Sequence, residues 1–145
     1  MNTNKYFALI ISVAIILTGY TTARAAAQLG GNNSTQVMLG PSNDDMVNAQ
    51  LLVGNSGSLT GGTNAGAGKE VNEPAHARNR GGASVWYKYV AAADGVLTIN
   101  TTTRNFDTLI SVYKGTNVDS LKYITANDNT PTATTSSVTL GVKSG

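Results

Sequence analysis

Residues 105–115, Asn-Phe-Asp-Thr-Leu-Ile-Ser-Val-Tyr-Lys-Gly, set a carboxylate and a hydroxyl, Asp107 and Thr108, at the mouth of an apolar run. In an aspartic protease two such loops face each other, so that two carboxylates share one proton. Each loop carries Asp-Thr-Gly or Asp-Ser-Gly, because glycine lets the backbone turn beneath the acid. Here residue 109 is leucine and there is no second copy. The expected role of Asp107 is therefore a cap on the turn into a strand, its carboxylate accepting backbone N–H groups. A Ser-His-Asp arrangement would have to use His76, the sole histidine. No Gly-x-Ser-x-Gly elbow accompanies it, and Glu-Pro-Ala-His-Ala-Arg-Asn-Arg-Gly-Gly (73–82) reads as a polar, solvent-facing loop. The absence of cysteine removes thiol catalysis, thiolate metal sites and disulfides together. No catalytic residue is expected.

Binding chemistry has more to work with. Asn43-Asp44-Asp45 and Asn127-Asp128-Asn129 are oxygen-rich, and calcium takes about six to eight oxygen ligands. Asp45 and Asp128 are the candidate calcium ligands, although neither cluster has EF-hand spacing and Asx turns account for both. Trp86, Tyr87 and Tyr89 suggest a sugar-stacking platform. Alternation along a strand sends Trp86 and Tyr87 to opposite faces, so at least one of them packs in the core.

The elements that must position these residues are strands. Ala-Ser-Val-Trp-Tyr-Lys-Tyr-Val (83–90) is aromatic and β-branched, and Asp94-Gly95 is a turn signal after it. Further strands are expected over 96–103, 108–115, 120–128 and 136–142, with a short one at 50–53. A helical turn capped by Asn43 or Asp44 precedes the short strand, and the glycine-rich 54–68 reads as loop. Regular short strands punctuated by Gly, Asn and Asp predict an all-β, antiparallel sandwich.

The N-terminus has the pattern of an export leader. Lys5 precedes a run over 6–17 that is apolar but for Ser12, and Ala23-Arg24-Ala25 offers a cleavage site with Ala25-Ala26-Ala27 as its competitor. Twelve residues fall short of the roughly 20 that span a bilayer, which leaves an uncleaved anchor as the second reading. Tyr20 stands where a lipoprotein box would need cysteine. The expected organisation is signal peptide 1–25, flexible lead-in 26–42 and β-domain 43–145, secreted or held at the cell surface. Of ten basic residues the leader holds Lys5 and Arg24, so the processed chain balances eight against eight acidic residues. A neutral domain has no electrostatic footprint for nucleic acid or anionic membrane.

Taken in order, Asn-Asp-Asp-Met-Val-Asn-Ala-Gln-Leu-Leu (43–52), the Trp86 strand with its Asp94-Gly95 turn, the 106–129 stretch and Ser-Ser-Val-Thr-Leu-Gly-Val (136–142) resemble the bacterial pre-peptidase C-terminal domain. The resemblance implies a jelly-roll-like β-sandwich appended to secreted bacterial enzymes or surface proteins. It implies no catalysis, a role in attachment to neighbouring domains or extracellular polysaccharide, and calcium binding in some members. By the same resemblance Asp107-Thr108 is a structural turn. Met46 replaces a frequent aromatic residue, Arg78-Asn79-Arg80 makes a neutral loop basic, and Asn129 removes a carboxylate. The family continues past the point where this sequence stops. The missing strands are expected either in a longer reading frame or from another chain, with residues 34–40 as a candidate donor to an open sheet edge and self-assembly as the result.

Overall fold

A computed structural model describes the backbone of residues 9–16 and, with side chains, residues 40–80, 82–102, 107–131 and 133–145. The described elements are seven strands and two short 3-10 turns: β1 Leu9–Ile16, β2 Gln50–Leu52, β3 Ser84–Tyr89, β4 Gly95–Asn100, β5 Asp107–Lys114, β6 Lys122–Asn127 and β7 Ser137–Val142, with the turns at Met46–Asn48 and Val118–Ser120. The chain is all-β. Each strand expected from alternation after residue 43 is present within a few residues of its expected bounds, because period-two patterning and turn residues are local signals.

Five strands form one sheet in the order β2-β3-β1-β5-β6, and β4 pairs with β7 in a second. Consecutive strands β3 and β4 thus belong to different sheets. One pairing departs from the antiparallel expectation: β2 lies parallel to β3, with Gln50 level with Tyr87. Between the sheets, Ile110 and Val112 of β5 pack with Val138 of β7. Tyr87 and Tyr89, Leu97 and Ile99, and Leu140 and Val142 close around them. The opposite face of the large sheet buries Trp86 and Tyr113 under Met46, Val118 and Leu121, so the two 3-10 turns serve as its cover. From Thr108 to Tyr113 every residue of β5 is buried, as a strand with both faces covered requires.

The segment read as the apolar heart of a leader holds an unexpected place. Leu9–Ile16 is β1, hydrogen-bonded antiparallel to β3 on one side and β5 on the other. An apolar run of this length suits a leader and a doubly buried strand equally well, and periodicity alone does not separate them. Residues 1–8 and 17–39, which include the cleavage sites and most of the lead-in, lie outside the described residues. Among the described residues no helix is long and apolar enough to cross a membrane.

Candidate functional site

The densest polar cluster forms where the 70–80 loop crosses the outer face of the large sheet. His76 is not solvent-facing, as its polar neighbours suggested, but 1% exposed. Its Nε2 lies 2.5 Å from Glu73 Oε1 and its Nδ1 3.0 Å from the Tyr113 hydroxyl. Ser84 Oγ donates to the same Glu73 oxygen, and the Glu70 amide donates to Glu73 Oε2 at 2.9 Å. The rings of Trp86 and Tyr113 stand edge-on to the imidazole at 5.7 Å. The loop folds inward because β3 and β5 present Ser84 and Tyr113 on this face, and each completes the hydrogen bonding of a group the loop buries.

Burial pushes the Glu73 carboxyl up, but the hydrogen bonds from His76, Ser84 and the Glu70 amide outweigh it and hold the group below the ordinary 4.5. Burial raises the Tyr113 phenol. Glu70 is also raised, first by burial; the Met46 amide opposes this at 2.7 Å, while Asp45, Glu73 and Asp44 add to it. The order of contacts matters chemically. Serine meets the carboxylate rather than the imidazole, so histidine is not placed to take a serine proton, and both ring nitrogens face protein groups. The cluster pins the loop to the sheet, and no serine or cysteine pairs with the imidazole among the hydrogen bonds described.

The same loop carries strain. Ala77 and Arg78 have φ values of 45° and 68°, and the Asn79 amide closes on His76 O at 2.7 Å. This is a tight turn with both central residues left-handed, built without glycine. Ser111 Oγ on β5 accepts the Ala77 amide at 2.9 Å and fixes the turn to the sheet.

Trp86 is fully buried, and its indole N–H has no acceptor among the described residues. Tyr87 and Tyr89 share the other face of β3 and pack against the core between the sheets. The three aromatics therefore do not form one platform, and no sugar ring can lie on Trp86. Asp45 and Asp128 are both exposed and belong to different elements: Asp45 precedes the Met46–Asn48 turn, and Asp128 follows β6. Asp45 lies with Glu70, Asp119 and Lys69 in a shallow depression of about 630 Å³. Among the described residues no three His, Asp or Glu side chains are grouped to hold a metal ion.

The clusters read as oxygen-rich do other work. Asp44 Oδ1 accepts the Gly68 amide at 2.8 Å, and Asn127 Oδ1 accepts the Ser137 amide at 2.9 Å. Asn43, expected to cap a helical turn, instead bonds both backbone groups of Trp86: its carbonyl accepts the amide at 2.8 Å and its Nδ2 donates to the carbonyl at 3.0 Å. It thereby substitutes for a neighbouring strand on the edge of β3 that faces away from β1.

Asp107-Thr108 is architecture, though through the threonine. Asp107 Oδ1 is buried and finds no partner among the described residues, so the expected cap is not seen at that oxygen. Thr108 Oγ1 lies 2.6 Å from Thr101 Oγ1 and donates to Thr134 O at 3.1 Å. Ser136 Oγ reaches Thr108 O and Asp128 O, each at 2.5 Å. These hydroxyls tie the start of β5 to the end of β4 and the approach to β7. Sequence reasoning missed them because single Thr and Ser residues in loops carry no local signature.

No family model, no curated protein and no solved structure matches the chain.

Proposed function

We propose that residues 43–145 form a non-catalytic accessory domain of a secreted or surface bacterial protein, a jelly-roll-like β-sandwich of the pre-peptidase C-terminal type. Its task is attachment, to a neighbouring domain of a longer chain or to an extracellular surface. The observation that carries this reading is the engagement of the chain's sole histidine. Both its ring nitrogens are committed inside a buried network, and the sequence has no cysteine, so neither an imidazole base nor a thiol nucleophile is offered to a substrate.

A carbohydrate-binding role is the less favoured alternative, because Trp86 is withdrawn into the core. Tyr123 and Ile124 on β6, 58% and 41% exposed, are what such a role would have to use. Calcium through Asp45 or Asp128 would require ligands beyond those the described residues bring together.

The test pairs two assays on protein exported with its own N-terminus. Co-sedimentation with cell envelopes and insoluble polysaccharides measures attachment, and a panel of ester, peptide and glycoside substrates measures turnover. The expected result is retention by a surface fraction without turnover. Turnover abolished by His76→Gln in a folded variant overturns the reading.

A further inference from the structure

We propose that the gap between β3 and β5 is a strand-acceptor slot, filled by β1 in the unprocessed chain and, once the leader is removed, by residues 34–39 of a second copy. The inference rests on the export reading of residues 1–25 and specifies the partner of that processed domain. The slot is defined by its flanks. β3 and β5 both pair antiparallel with β1, so they run parallel to each other with one strand's width between them. Every residue of β1 from Leu9 to Ala14 is in register with both neighbours: Ile11 with Tyr87 and Val112, Ser12 with Trp86 and Ser111, Val13 with Val85 and Ile110. Cleavage after Ala25 or Ala27 takes this strand away. Two inner edges of backbone N–H and C=O groups then lie open in the middle of the sheet, and burial without partners is costly.

Ser34-Thr-Gln-Val-Met-Leu39 is a partly apolar stretch further along the chain. Its alternation fits the slot. In phase with β1, Thr35, Val37 and Leu39 take the places of Ile11, Val13 and Ile15, level with Tyr87 and Val85, which lie on the face of β3 toward the core between the sheets. Ser34, Gln36 and Met38 then form the other row, level with the face that carries Ser84, Trp86, Ser111 and Tyr113. Gln36 falls level with Trp86, whose buried indole N–H lacks an acceptor among the described residues. A side-chain amide oxygen is an acceptor for such a donor.

The donor comes from another copy because of where the chain's own segment emerges. Asn43 occupies the edge of β3 that faces away from the slot. Gly40 is held so close to the loop beneath it that a Cβ there would stand 2.6 Å from Gly66 O. Gly40, the residue next to Leu39 in the chain, is therefore held on the side of β3 away from the slot. A second copy offers the segment without crossing the sheet, and each copy has one slot and one donor. That is a heterologous contact, which builds open chains unless a swapped pair closes it.

The experiment exports the full chain with its own leader and reads the product by intact mass, size and cross-linking. In the proposed register Asn33 falls level with Lys114, and a chain without cysteine makes an Asn33→Cys/Lys114→Cys double variant a clean reporter. The expected result is a processed chain that elutes as dimers or longer species and forms interchain disulfide multimers, where neither single variant forms a ladder. Val37→Asp should leave export and processing intact and return monomers. An intrachain disulfide, or a processed monomer without cross-links, overturns the proposal. An exported chain whose mass still includes residues 9–16 overturns the processing on which it rests, with β1 keeping the slot.

Discussion

At the scale of single residues, the decisive fact is that polar groups of one loop are buried by pairing with one another. Removing one partner weakens the rest. His76→Ala takes the imidazole from a buried carboxylate that keeps only the Ser84 hydroxyl and the Glu70 amide, and the expected loss is about 3 kcal/mol of unfolding free energy in a denaturant titration. Tyr113→Phe deletes only the hydroxyl at Nδ1, for an expected loss of about 1 kcal/mol. Because the Glu73 carboxyl is lowered on folding, the native state binds its proton less readily than the unfolded chain. Its stabilisation is full above the unfolded value and is lost as pH falls through the lower folded one. Glu70, raised on folding, works in the opposite sense. The comparison that isolates Glu73 is therefore wild type against Glu73→Gln, whose stabilities should converge as pH falls below the ordinary 4.5 and through the lower folded value. Parallel curves across that range would sink the assignment. The left-handed Arg78 is strained by its Cβ, so Arg78→Gly is expected to raise stability by about 1 kcal/mol.

Elements are held by different means at the two ends of the molecule. At the entry to β5, hydroxyls from Thr101, Thr108 and Ser136 stitch three strands together. Ser136 is 1% exposed, and Ser136→Ala leaves the Thr108 and Asp128 carbonyls short of a donor, an expected cost of about 1–3 kcal/mol by thermal unfolding. At the far end, Asp94 binds Lys143 Nζ and the Ser144 amide across an exposed surface, where charge pairing adds little. Hydrogen exchange should rank the strands accordingly. In a chain that retains β1, amides of β5 exchange slowest, while β2 and β6 at the sheet edges exchange first. Fast exchange along β5 in that chain would show that β1 does not hold its central place in solution.

For the molecule as a whole, the proposed removal of residues 1–25 would alter charge and sheet together. A chain beginning at Ala26 balances its formal charges, so it is expected to pass unretained through a polyanion column at low salt; retention there would point to a basic surface that net charge conceals. The strands after residue 43 were legible in the sequence, because alternation and Gly, Asn and Asp punctuation are encoded within each segment. The departure of Asp107-Thr108 from the protease pattern is a sequence observation too, resting on Leu109 and the lack of a second copy. What lay beyond the sequence was everything set by distant partners. His76 looked exposed because its neighbours are polar, yet Tyr113, far away in the chain, and Glu73, itself held by Ser84 on β3, draw it into the fold. Trp86 looked available until the Met46 and Leu121 segments covered it. The apolar run 9–16 matched a leader and a buried strand alike, and only the tertiary structure supplied the gap between β3 and β5. A strand's alternation is a property of its own residues; its place in a sheet depends on edges that other segments leave unpaired.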